Sequence, residues 1–121
     1  MSKISHKDTA CLLNILDSIG KIKQYTQTYN DADALYEDNK SFDAVMMNFI
    51  VIGEMAEKLS TEFRDFTALQ IDWLKIRGLR NIIAHNYFGI DAEEIWQIIH
   101  DSLDKLAMTI EEKIKILGHS P

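Results

Sequence analysis

The sequence predicts an all-α fold, an up-and-down bundle of four to five helices, on three observations. The single proline is the last of 121 residues and there are only five glycines, so little in the chain breaks a helix. Apolar residues recur at steps of three and four, the period of one helix face. The alternating apolar and polar runs that a half-buried strand requires are absent.

Taken in order, the first helix is expected over residues 5–28, where Ile4, Cys11, Leu12, Ile15, Ile19, Ile22 and Tyr25 or Thr26 make one stripe. Residues 30–33 form a polar break. Ala34, Leu35 and Tyr36 then make a short turn that leads through Asp38, Asn39 and Lys40 into a second long helix, spanning residues 41–59 or 41–63. Nearly every position from Ala44 to Ile52 is apolar, leaving no wide solvated face, so this helix is expected at the centre of the bundle and shared with a second subunit. Gly53 interrupts it at a cost of about 1 kcal/mol relative to alanine, which close approach by a neighbouring helix would offset. Residues 61–71 read as a mixed connector.

Asp72 is placed to cap a third helix that runs from Trp73 to His85 and stops at Asn86-Tyr87-Phe88-Gly89, where two residues tolerate left-handed backbone. Trp73, Ile76, Leu79, Ile82 and Ile83 form its core face. Asp91 with Glu94 opens a fourth helix in the manner of a capping box. Its stripe is Ile95, Ile98, Ile99, Leu103, Leu106, Ile110, Ile114 and Leu117, and Gly118 ends it.

Length and composition bound the rest. A chain of 121 residues is expected to be a single domain, 1–121, with its own core. Cys11 is the only cysteine, so an intrachain disulfide and a cysteine metal cluster are excluded, and it reads as a small packing residue. No apolar run reaches the roughly 18 residues of a membrane span, and the amino terminus lacks the pattern of a secretory signal. A cytoplasmic, soluble protein with no membrane partner is the expectation. The net charge of −6 argues against a general nucleic-acid coat but permits a local cationic site on an acidic body. His6, His100 and His119 share no spacing with carboxylates and no Glu-x-x-His pair occurs, which disfavours a di-iron bundle. No metal or other cofactor is expected.

The stretch RNIIAHNY, residues 80–87, concentrates the chemistry. On an ideal helix Arg80 and His85 lie about 140° apart around the axis, so they converge only if the helix bends or ends. A helix carboxyl end favours protonated histidine, and guanidinium offers a planar fork of donors to phosphate oxygens. Arginine with histidine is a sufficient minimum for cutting RNA without metal. The ribose 2′-hydroxyl is then the nucleophile, His85 the general acid or base, and Arg80 the stabiliser of developing charge. By spacing alone the bland reading stays open: an arginine and a histidine that only decorate a helix end. Glu54, an acid in an apolar helix, needs a partner, and Arg80 or Arg77 is the chemical candidate. We expect it to orient Arg80. Arg77, one turn earlier, and Lys75 would extend the cationic patch, or Lys75 would simply sit on a solvated face.

The run W-x-x-I-x-G-L-R-N-I-I-A-H-N-Y-F-G-I-D, Trp73 to Asp91, resembles the HEPN-domain toxins of the HepT type, whose hallmark is R-x4-H-x-Y. Arg80, His85 and Tyr87 fill that pattern, and Asn81 matches the asparagine usual after the arginine. The upstream AVMMNFIVIGEMAEKLS is similar to the family's second helix, with Gly53 and Glu54 as its Gly-Glu pair. The resemblance covers about the whole chain. It implies a homodimeric HEPN-like bundle with two such motifs facing each other in a cleft, and metal-independent ribonuclease activity on an RNA such as tRNA or mRNA. It assigns catalysis to Arg80 and His85, with Asn81 supporting phosphate contacts. It also implies a partner, an antitoxin of the minimal nucleotidyltransferase type, that silences the toxin by moving AMP from ATP onto Tyr87. The alternative is a catalytically inactive helical module that binds the nucleotidyltransferase and presents a nucleotide or tyrosine to it; a purely structural oligomerisation bundle is a third reading.

Overall fold

Helix α1 (His6–Thr26) begins where the Ser5 hydroxyl accepts the Asp8 backbone N–H at 3.0 Å. In the computed structural model, which describes residues 4–85, 89 and 91–118 without the side chains of Ile82, His85 and Leu117, this helix buries Cys11, Leu12, Ile15, Ile19 and Ile22. That is the stripe read from the sequence. Thr26 closes it, buried, its hydroxyl donating to the Ile22 carbonyl at 2.8 Å. Burial also pushes the Cys11 thiol above its ordinary pKa, as suits a packing residue.

The short turn expected at Ala34–Tyr36 is a full α2 (Ala32–Glu37), because Asp31, read as part of a polar break, caps it through the Ala34 N–H at 2.8 Å. Asp38 serves both neighbours. Its N–H closes α2 on the Leu35 carbonyl, and its carboxylate caps α3 (Asn39–Lys58) by accepting the Ser41 N–H at 3.2 Å. The Tyr29 hydroxyl donates to that carboxylate and lies 2.9 Å from the Ser41 hydroxyl. The Tyr29 bond first, and the Ser41 N–H second, hold Asp38 below the usual carboxylate range.

Helix α3 occupies the centre of the bundle, packed against α1 on one side and α5 on the other. Val45, Met46, Phe49, Ile52 and Ala56 are almost fully enclosed. It is not covered all round by this chain: Met47 is 59% exposed, and Ile50 and Val51 are half-buried.

The connector expected over residues 61–71 instead contains α4 (Thr61–Phe66), and α3 therefore stops at Lys58. Ser60 causes both, since its hydroxyl accepts the Phe63 N–H at 3.1 Å and starts a new helix. Ser60 is itself fixed by the buried carboxylate of Asp8, which accepts its N–H at 2.8 Å and its hydroxyl at 2.6 Å. The next corner is closed by Thr67, which takes the Trp73 indole N–H at 2.8 Å while donating to the Phe63 carbonyl at 2.9 Å.

Helix α5 (Trp73–His85) starts as expected, with Asp72 accepting the Lys75 N–H at 3.1 Å. Trp73, Leu79 and Ile83 are buried and Ile76 packs against them. The stop expected at residues 86–89 falls, apart from Gly89, outside the described residues.

Asp91 caps α6 (Ala92–Gln97) through the Glu93 and Glu94 N–H groups at 3.0 and 3.3 Å. The single regular helix expected from there is corrected. A π-helical turn (Ile98–Ser102) separates α6 from α7 (Leu103–Lys113), and a second π-helical segment (Ile114–Gly118) follows. The apolar spacing explains the first. Ile95, Ile99 and Leu103, all buried, are four apart, and in a 3.6-residue helix each such step drifts about 40° off the core. One wider turn returns the stripe to the core. Among the described residues there is no strand, and no helix is long and apolar enough to cross a membrane.

Candidate active site

The site is built at a close approach of α3 and α5. A Cβ added to Gly53 would lie 3.1 Å from both the Cβ and the backbone nitrogen of Arg80, and 3.4 Å from the Ile76 carbonyl oxygen. This is the close approach that a glycine inside an apolar helix predicted. It brings the next residue, Glu54, within 3.0 Å of Arg80, carboxylate Oε2 accepting from guanidinium Nη1. One turn along, Arg77 Nη2 donates to Glu57 Oε2 at 2.6 Å. A step of three towards the carboxyl end of α3 is matched by a step of three towards the amino end of α5, the register of an antiparallel pair.

Of the two partners open to Glu54 in the sequence, it therefore takes Arg80. Glu57 was not singled out, although its offset from Glu54 equals that of Arg77 from Arg80. Both guanidiniums face a carboxylate, so the patch they form is less cationic than two arginines imply. The Arg77 Nε is buried with no hydrogen-bond partner among the described residues. Asn81 is exposed on the same helix, and Lys75 is exposed near its start.

The His85 backbone is helical, so Arg80 and His85 keep the angular offset of a regular helix up to that point. The His85 imidazole and the whole of Tyr87 lie outside the described residues, and so does their expected convergence on Arg80. His100 belongs to another structure altogether, its Nδ1 2.9 Å from the Trp96 carbonyl oxygen and its ring 4.2 Å from the Trp96 ring. No group of three or more His, Cys, Asp or Glu side chains among the described residues stands close enough to hold a metal ion. A cavity of about 220 Å³ opens between the start of α5 and the π-helical turn, floored by Ile52, Ile76 and Leu79. Its walls include Lys75 but not Arg77, Arg80 or Asn81, so it is separate from the Glu54–Arg80 site.

The profile of the ribonuclease HepT-like family matches residues 15–112. The chain belongs to the HepT-like ribonuclease family, a family of enzymes acting on RNA. Related proteins agree in extent. A Methanocaldococcus jannaschii protein named as a putative RNase is 31% identical over 105 residues, 84% of this HepT-like chain and 92% of its own length. Another of that name from the same organism is 34% identical over 108 residues, 88% of this chain and 86% of its own. A third, named as a γ-glutamylcyclotransferase and putative RNase, is 33% identical over 112 residues. That match takes in 92% of this chain, which spans about half, 48%, of the longer protein. No solved structure matches the HepT-like chain.

Proposed function

We propose that the protein is the toxin of a toxin–antitoxin pair, a metal-independent endoribonuclease acting as a cytoplasmic homodimer, with Arg80 and His85 as its catalytic residues. One observation carries the reading: Arg80 stands half-exposed on α5, its guanidinium tied to Glu54, on the same helix that carries His85. A guanidinium has five donors and the tie uses one, which leaves the group suited to a phosphate.

In this reaction His85 takes the proton of a ribose 2′-hydroxyl, and the freed oxygen attacks the adjacent phosphorus. The bond from phosphorus to the 5′-oxygen breaks, a protonated His85 supplies the leaving oxygen with its proton, and the ends are a 2′,3′-cyclic phosphate and a 5′-hydroxyl. Arg80 stabilises the charge gathered on the non-bridging oxygens. Asn81 and Arg77 hold neighbouring phosphates, and Glu54 aims Arg80. Two subunits suit the helix geometry. Residues 80 and 85 lie about 140° apart on one helix, so the arginine of one copy and the histidine of the other share a cleft more readily than two side chains of one copy. The partner is a nucleotidyltransferase antitoxin. The Tyr87 hydroxyl attacks the α-phosphorus of ATP, pyrophosphate leaves, and the AMP added beside Arg80 fills the place of an RNA phosphate. tRNA and mRNA both suit as substrates.

The test is RNA cleavage in EDTA by unmodified protein. Wild type should leave cyclic-phosphate ends, whereas His85→Ala should lose on the order of 10²–10⁴-fold and Arg80→Ala about 10²–10³-fold in rate while staying folded. Undiminished cleavage by His85→Ala rejects the catalytic assignment. No cleavage by wild type favours the inactive module that only binds the transferase. The mass of the Tyr87 peptide, with and without the antitoxin, checks the modification separately.

A further inference from the structure

We propose that Gly53 is a positioning residue for Arg80, fixing the root of the side chain whose tip Glu54 holds. This rests on the reading that Arg80 acts on an RNA phosphate. Among the glycines whose surroundings are described, the contact is specific to one. Gly20 and Gly78 are also helical, and a Cβ on either would meet nothing within 4 Å, while at Gly53 it would meet Arg80 twice at 3.1 Å. Both atoms met are at the start of the arginine, its own Cβ and backbone nitrogen, and the third neighbour is the Ile76 carbonyl oxygen. None is the far end of a flexible chain that could swing aside. Relief requires the backbones of α3 and α5 to part by a few tenths of an ångström at Arg80.

Consecutive residues of α3 therefore grip one arginine at its two ends. Gly53 sets the distance between the helices, and Glu54, at 3.0 Å, sets where the guanidinium points. A methyl group at position 53 leaves every charged and polar group of the site in place and changes only the spacing. Its effect on an aligned guanidinium should fall on the chemical step, because small displacements of a catalytic group act on the transition state more than on binding.

The experiment compares Gly53→Ala, Gly20→Ala and Arg80→Ala in steady-state RNA cleavage, with circular dichroism and thermal unfolding on each. The expected result for Gly53→Ala is a kcat lower by about tenfold or more with KM within about twofold of wild type. Gly20→Ala should cleave like wild type, and Arg80→Ala should lose about 10²–10³-fold in rate. A folded Gly53→Ala with wild-type kcat, beside an Arg80→Ala slowed as expected, overturns the role of Gly53 and leaves the active-site reading standing. An Arg80→Ala that cleaves at the wild-type rate overturns that reading and, with it, this one. Should Gly53→Ala not fold, the double variant Gly20→Ala/Gly53→Ala takes its place, the alanine at 20 strengthening α1. If the double variant also fails to fold, the glycine serves packing alone and the proposal is rejected.

Discussion

Glu54 and Arg80 meet at 3.0 Å with 40% and 35% of their side chains exposed. A pair so open to water adds about 0–1 kcal/mol to the fold, so its use must be sought in aim more than in stability. Glu54→Ala should accordingly unfold within a few degrees of wild type yet cleave RNA about tenfold more slowly, as expected for an arginine left unaligned. Parallel melting curves and cleavage rates check both halves. A large fall in melting temperature with unchanged cleavage would make Glu54 a structural residue. The pairing was legible in the sequence because an acid inside an apolar run has to find a cation. Glu57 was not, because Glu57-Lys58 at a helix end looks like ordinary solvated surface.

Among the elements, the long helices were readable because their stripes are long and regular. The short ones were not, because each depends on a single cap. Asp31 turns a supposed break into the start of α2, and Ser60, held by Asp8 from the first turn of α1, turns a supposed connector into α4. A contact 52 residues away along the chain leaves no local signal. The π-helical turn did leave one, in the successive four-residue steps from Ile95 to Leu103. At the α2–α3 junction the depressed Asp38 carboxyl makes stability depend on pH. Folding favours its charged form, so the contribution is complete above the unfolded carboxyl value of about 3.9 and disappears as pH falls through the lower folded value. Tyr29→Phe removes the largest cause of that depression. It should therefore be less stable than wild type at neutral pH, with the gap narrowing in strong acid. Denaturant melts across that range test this, and a gap that widens on acidification would contradict it.

For the whole molecule, the proposed two-subunit cleft predicts complementation. Arg80→Ala and His85→Ala homodimers, each slowed by about 10²-fold or more, should regain part of the wild-type cleavage rate when mixed and allowed to exchange subunits, since one composite site in a mixed dimer would hold both intact groups. Mixtures that stay as slow although mass spectrometry shows mixed dimers would place each site within one subunit. The bundle itself and the Gly53 contact could be read from residue types alone. The apolar run of α3 pointed to a second subunit, but a sequence states which face is apolar and not what covers it, so the composite cleft belongs to the proposal. The paired charges between α3 and α5 have a bearing on how the chain finds its shape. Sliding one helix along the other by a single residue would part both pairs. Sliding it by three would rejoin one pair but bring Ile50 or Ala56, each with a side chain, to the spot where even a Cβ would press on Arg80 at 3.1 Å. The two helices thus work like a notched key, and a mis-threaded bundle is rejected by shape and by charge together.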